Sequence, residues 1–245
     1  MLSKNNSNII VTGVGSGLGK YIHEESPGSL GLRRDNLTSI IQSATSRNID
    51  TVIHCACNKS KDNYYDLYND NLKLVETLCS MPHKNFVFIS SIDVYSKEEN
   101  VYSMMKRVAE SIVKERSNNF LTLRVSALLG KYMKKNNICR VIFDKDPTLS
   151  LTNDSTYSLL SYEHIYQIIS KSIEKNINGT YDVVAKSPIS MGQIVKRCNK
   201  EKNTTFGGYK YLTKNIVGGI IERKLGMKQF DSYHALEKFI DETTE

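Results

Sequence analysis

The chain contains no apolar run approaching the roughly 18 residues a membrane-crossing helix needs, and Met1 to Ser7 lead straight into a strand pattern without an apolar leader. A soluble, cytoplasmic protein with no membrane partner is the expectation. The five cysteines, at 55, 57, 79, 139 and 198, form no Cys-x-x-Cys pair. Cys55 and Cys57 fall in an apolar strand pattern, where a reduced thiol behaves as a small buried hydrophobe. His, Cys and carboxylates nowhere take metal-ligand spacing, so no metal is expected. The net charge is +7, yet Lys134-Lys135, Lys196-Arg197 and Lys200-Glu201-Lys202 are scattered without aromatic interleaving. That favours, over a nucleic-acid stripe, a solvated basic surface that attracts anionic nucleotides. There is no internal repeat or low-complexity linker.

What is present is an alternation of two periods. Strand patterns over 8–12, 29–33, 51–56, 85–90 and 120–124 alternate with helical patterns over 18–25, 36–47, 64–80 and 101–116, and a helix over 163–174 and a strand over 180–184 follow. Alternation of this kind in 245 residues predicts an α/β fold with a doubly wound parallel sheet and ligands at the carboxyl ends of its strands. Residues 1–124 plus 155–185 are assigned to the dinucleotide-binding (Rossmann) part. Residues 125–154 plus 186–245 form a small substrate-binding cap.

Two clusters carry chemistry. After the strand Asn8 to Val11 come Thr12, Gly13, Val14, Gly15, Ser16, Gly17, Leu18 and Gly19, and then a helical pattern. Glycines 13, 17 and 19 allow a tight turn, close approach of backbone to a pyrophosphate and close helix-to-strand packing. A bare flexible loop is the alternative. Further on, Ser90-Ser91 ends the apolar run Asn85 to Ile89, and Tyr102 precedes Lys106 by four residues. At that spacing both share one helix face, so the ammonium can lower the phenol pKa and hold a ribose while a nearby Ser binds the same substrate oxygen.

Together these segments resemble the extended branch of the short-chain dehydrogenase/reductase superfamily, which handles nucleotide sugars. Asp50 to Cys57 resembles its strand of the form D-x-V-x-H-x-A-A, Tyr68 to Val75 its N-v-x-g-t segment, and Ser90 to Tyr95 its S-[ST]-x-x-V-Y motif. Leu121 to Gly130 and Tyr162 to Ile165 resemble its L-R-x-x-x-x-y-G and V-x-D-h segments. The resemblance implies a catalytic tetrad of Asn71, Ser91, Tyr102 and Lys106, with Cys55 and Ala56 covering the cofactor. It also implies a homodimer formed through the helices at 64–80 and 101–116. The last sixty or so residues match least.

An acidic residue about 20 positions beyond the first glycine selects NAD; here that distance falls on Arg33 and Arg34. Two guanidiniums suit a 2′-phosphate, so NADP(H) is favoured over NAD(H); exposed arginines in a turn before Asp35 are the alternative. Only 32 positions, 20 to 51, separate Gly19 from Val52, so a strand and helix usual in that interval are expected to be trimmed, as in the compact sugar-nucleotide ketoreductases that Leu149 to Asp154 also resembles. Asp93 stands where relatives carry an acid/base group; it is either that or a carboxylate bonding loop amides. Ile92 and the segment around Lys131-Tyr132 lack the residues that dehydration and double epimerisation use in relatives. His54 reads as a packed strand residue, and His164 as a helix-surface or pocket-edge one. The expected function is NADPH-dependent reduction of a 4-keto sugar linked to a nucleoside diphosphate. An NAD(P)-dependent nucleotide-sugar epimerase and a non-catalytic NADP-binding sensor or scaffold are the alternatives.

Overall fold

In the computed structural model, residues 8–45, 48–59, 63–96 and 100–244 are described. In chain order the strands are β1 (Ile9–Thr12), β2 (Leu30–Leu32), β3 (Thr51–His54), β4 (Asn85–Ser91), β5 (Phe120–Val125), β6 (Ala127–Leu129), β7 (Thr156–Tyr157), β8 (Leu159–Ser161), β9 (Gly179–Val183) and β10 (Ile189–Ser190). The helices are α1 (Gly17–Glu24), α2 (Leu37–Thr45), α3 (Tyr64–Tyr68), α4 (Leu74–Ser80), α5 (Val101–Arg116), α6 (Asn137–Phe143), α7 (Tyr162–Glu174), α8 (Met191–Arg197), α9 (Ile220–Leu225) and α10 (Ser232–Thr244). Six strands form one parallel sheet in the order β2-β1-β3-β4-β5-β9. The chain reverses its direction of travel between β1 and β3, the crevice where doubly wound sheets place ligands.

Every residue of β1 and β3 is buried, as expected of strands covered by helices on both faces. The two faces sort by alternation. Val11, Ile53, Val87 and Leu123 pack with Ile22 of α1 and Ile165 and Ile169 of α7. Ile10, Val52, Phe86 and Phe88 pack with Val75 and Leu78 of α4 and Ala109 and Val113 of α5. A third cluster joins β6, β8, α6, α8 and α10 through Leu129, Leu159, Ile138, Ile194 and Leu236. Ile221 and Leu225 of α9 belong instead to the α7 side of the main sheet.

Helix α5 begins where its sequence dictates. The Asn100 side chain accepts the Ser103 N–H at 2.8 Å, and Ser103, Lys106, Ala109 and Val113 form the buried stripe. The helix predicted over 64–80 keeps both ends and winds through a π-helical turn, Asn69–Lys73, between α3 and α4. Elsewhere tertiary contacts move the expected boundaries. β3 stops at His54 and does not reach residue 56, because the Cys55 and Ala56 N–H groups donate to the Thr12 hydroxyl, at 3.1 and 3.0 Å, instead of extending the ladder. Cys55 is therefore half-buried and Cys57 exposed, which corrects the expectation that both lie in a buried strand. His164 is neither on a helix surface nor at a pocket edge: it is buried, with Nε2 3.5 Å from Glu222 and its ring against Phe230. The interval before β3 holds the three-residue edge strand β2, a 3-10 turn Arg34–Asn36 and α2. Residues 46 and 47, the end of the predicted helix over 36–47, and Met1 to Ser7 lie outside the described residues. Among the described residues no helix is long and apolar enough to cross a membrane, and no group of three or more His, Cys, Asp and Glu is placed to hold a metal ion.

Candidate active site

The glycine-rich turn is held open by contacts that leave no room for side chains. Gly13 has φ +74°, and a Cβ there would lie 2.9 Å from the Ala56 nitrogen; a Cβ on Gly19 would lie 2.4 Å from the Thr12 carbonyl. Around Gly15 nothing approaches within 4 Å of where a Cβ would stand, so the loop backbone is bare at that point. Ser16 occupies the N-cap of α1 with extended backbone and makes no side-chain cap, while Leu18 anchors the helix in the core. The Gly17 N–H donates to the Tyr132 carbonyl at 2.7 Å, and Tyr132 itself sits at φ 74°. A bare loop backbone at a helix N-terminus leaves room where an anion such as a pyrophosphate can bind.

The Thr12 hydroxyl accepts both loop N–H groups and lies 2.9 Å from His54 Nδ1. Having accepted two protons it donates its own, so Nδ1 is the acceptor and the imidazole proton is on Nε2. Burial, with the Lys106 charge adding, drives the His54 pKa down to about 3. His54 is thus a neutral strut, stacked on Phe88.

On the other side, Ser91 ends β4 and caps the 3-10 turn Ile92–Tyr95 by accepting the Asp93 N–H at 3.1 Å. The pKa of the Tyr102 phenol is pushed up by burial, raised further by Cys57, Asp93 and Tyr211, and drawn back by the nearby Ser91. Lys106, buried, donates to the Ile89 carbonyl at 2.7 Å and lies over the Phe88 ring. Its own pKa is lowered, chiefly by burial. The expectation that Lys106 lowers the Tyr102 pKa is therefore corrected: the buried ammonium takes a strand carbonyl, and the phenol stays protonated. It is Lys59 whose ammonium lies over the Tyr102 ring, 4.3 Å from its centre. His54, Asn71, Tyr102 and Lys106 line one shared cavity.

Asn71, in the π-helical turn, uses both ends of its amide on one residue: Oδ1 accepts the Asn58 N–H and Nδ2 donates to the Asn58 carbonyl, each at 2.9 Å. π-helical turns recur at functional sites. The Asp93 carboxylate bonds to no loop amide among the described residues, which corrects its reading as a loop anchor; the residue is tied instead by its backbone N–H, which donates to the Ser91 hydroxyl. Arg33 and Arg34 follow the last residue of β2. Arg33 is exposed and makes no ion pair among the described residues, whereas the Arg34 guanidinium is clasped by Asp70, with Nε 3.2 Å from Oδ1 and a second contact from Nη2 to Oδ2.

Some participants were not visible in the sequence. Glu110 binds Arg124 through both oxygens and accepts the Ser90 hydroxyl at 2.5 Å. Arg124 donates to Tyr95, whose phenol donates to Asp182. Glu110 lies four residues after Lys106, a spacing that could have flagged it. Tyr211 reaches the site from a segment without periodicity, pinned by Thr156 N–H to its carbonyl at 2.8 Å and stacked on Tyr157.

No family model and no curated protein matches the chain. Solved structures do. A dTDP-4-dehydrorhamnose reductase from Bacillus anthracis in complex with NADP superposes with a TM-score of 0.75 at 22% identity, covering 96% of this chain and 99% of that one. A dTDP-4-dehydrorhamnose reductase from Clostridium acetobutylicum gives 0.78 at 17%, covering 97% and 99%. A UDP-glucuronic acid 4-epimerase from Bacillus cereus, with UDP-glucuronic acid and NAD, gives 0.75 at 16%, covering 96% and 99%. The chain has the fold of these Rossmann-type nucleotide-sugar proteins.

Proposed function

We propose that the chain is an NAD(P)-dependent oxidoreductase of the extended short-chain dehydrogenase/reductase type, which uses NADPH to reduce a 4-keto sugar linked to a nucleoside diphosphate. The observation that carries this reading is that Tyr102 and buried Lys106 line one cavity together with Asn71 and His54, beside Ser91 at the carboxyl end of β4. A dinucleotide held by the Gly13–Gly19 loop, Cys55, Ala56 and Arg33 would supply hydride to the ketone carbon. Tyr102, a phenol that is protonated near neutral pH and that burial holds the more firmly so, gives a proton to the ketone oxygen as negative charge builds there. Ser91 holds that oxygen. Lys106 places a positive charge beneath the cavity and a ribose hydroxyl can bind to its remaining donors. Asn71 keeps the loop carrying Asn58 in place, and so the wall of the cavity.

The small part, residues 125–154 and 186–245, is assigned to the nucleotide sugar. A homodimer through the outer faces of α3 and α5 fits the exposed Tyr64, Tyr65, Met104 and Val108. The cytoplasm, which holds an NADPH pool, is the assigned location. The second reading, an epimerase using the same tetrad, is favoured by one observation: Asp93 near Tyr102 and Tyr211 has a carboxylate without a hydrogen-bond partner among the described residues. Incubation of the purified protein with NADPH and a set of 4-keto nucleotide sugars tests the proposal. Stoichiometric loss of NADPH absorbance with formation of one reduced sugar supports reduction; product without cofactor consumption supports epimerisation.

A further inference from the structure

The loops that leave β2 and β3 are tied to each other by one carboxylate. Asp70 faces Arg34 fork to fork, accepting from Nε at 3.2 Å and from Nη2, and its Oδ2 also accepts the Asn58 Nδ2 at 2.8 Å. The guanidinium edge so engaged is the edge that grips a phosphate. Arg33, one residue earlier, carries no such counter-ion among the described residues. We propose that Asp70 is a specificity-determining residue: it competes with a 2′-phosphate for Arg34 and thereby sets how strongly the chain prefers NADP(H) over NAD(H).

The inference rests on the dinucleotide reading above. Its asymmetry comes from burial. The Arg34 side chain is 80% exposed and that of Asp70 22%, so Arg34 is free to swing away while Asp70 stays beside Asn58. A dianionic phosphate arriving at Arg34 meets the Asp70 charge as a repulsion, and a ribose bearing only a 2′-hydroxyl does not. Exposed pairs of this kind exchange at low cost, which makes the effect a tuning of selectivity and not a block.

Fluorescence titration of the full chain with NADPH and with NADH tests this on the unmodified protein, Asp70→Asn, Arg34→Ala and the double variant. In Asp70→Asn the NADPH dissociation constant is expected to fall about twofold to fivefold, the size of one exposed ion pair. NADH should move less than about twofold by the same measure. In the Arg34→Ala background Asp70→Asn should bring a smaller gain for NADPH, since only the repulsion is relieved, and none for NADH. Asp70→Ser, which removes the charge without leaving an amide, should act in the same direction. NADPH binding that is unchanged or weaker in both Asp70 variants, or an equal gain without Arg34, overturns the inference while leaving the dinucleotide reading intact. Binding of neither dinucleotide by the unmodified protein overturns both.

Discussion

Lys106 donates its ammonium to the Ile89 carbonyl, 2.7 Å away, two residues before Ser91 ends β4. The cation thus supports the wall of the cavity that the Tyr102 phenol also lines.

Tyr102→Phe keeps the ring and deletes the hydroxyl. Turnover of any accepted 4-keto nucleotide sugar should be lost, and NADPH affinity should stay within a few fold. Single-turnover absorbance together with cofactor titration reads both; surviving turnover would show that another group donates the proton.

Arg33 and Arg34 differ in readiness, but both carry charge to the end of β2. Replacing both with Ala should weaken NADPH by orders of magnitude, since charged hydrogen bonds are worth about 1.5 to 3 kcal/mol each. NADH should hardly change. Equal losses for the two cofactors would remove the arginines from cofactor choice.

Asp93 separates reduction from epimerisation. In heavy water, the unmodified enzyme should give one reduced product without deuterium on the ring carbon next to the ketone. Wash-in that disappears in Asp93→Asn would reverse the order of the two readings.

Of the fold, the sheet, its helices and the bounds of α5 were legible, because a cap at Asn100 and a stripe at 103, 106, 109 and 113 are local signals. The glycine loop and the Ser91, Tyr102, Lys106 set were legible for the same reason: each is a short spacing. The early end of β3 was not, because it depends on a Thr12 hydroxyl 43 residues from Cys55. The Arg34–Asp70 pair spans 36 residues, and nothing near either one announces the other.

His54 makes stability depend on acid. Its folded pKa is about 3 against the ordinary 6.5, so below 6.5 the unfolded chain takes up a proton that the folded chain refuses. The contribution is present above pH 6.5 and is lost as pH falls toward 3, with a slope of up to about 1.4 kcal/mol per pH unit. Urea midpoints from pH 7 to pH 4 should fall less steeply in His54→Gln than in the unmodified protein; parallel curves would refute the assignment.

Thr12→Val leaves two loop N–H groups and the His54 Nδ1 without their shared partner. A loss of about 2 to 3 kcal/mol is expected, the desolvation cost of groups left unpaired. A loss under half a kcal/mol by urea unfolding would mean that water replaces the hydroxyl.

The shortness of β2 has a consequence for how copies of the chain meet one another. It is the outermost strand of the parallel sheet on its side, only three residues long, and Arg33, Arg34 and Asp35 follow it directly. An open sheet edge is a template on which a second chain can add a strand and begin a fibre, and brevity and charge are what blunt it. The same guanidiniums assigned to a cofactor phosphate therefore also guard this rim against edge-to-edge growth, so exchanging them for apolar residues would endanger solubility as well as cofactor choice.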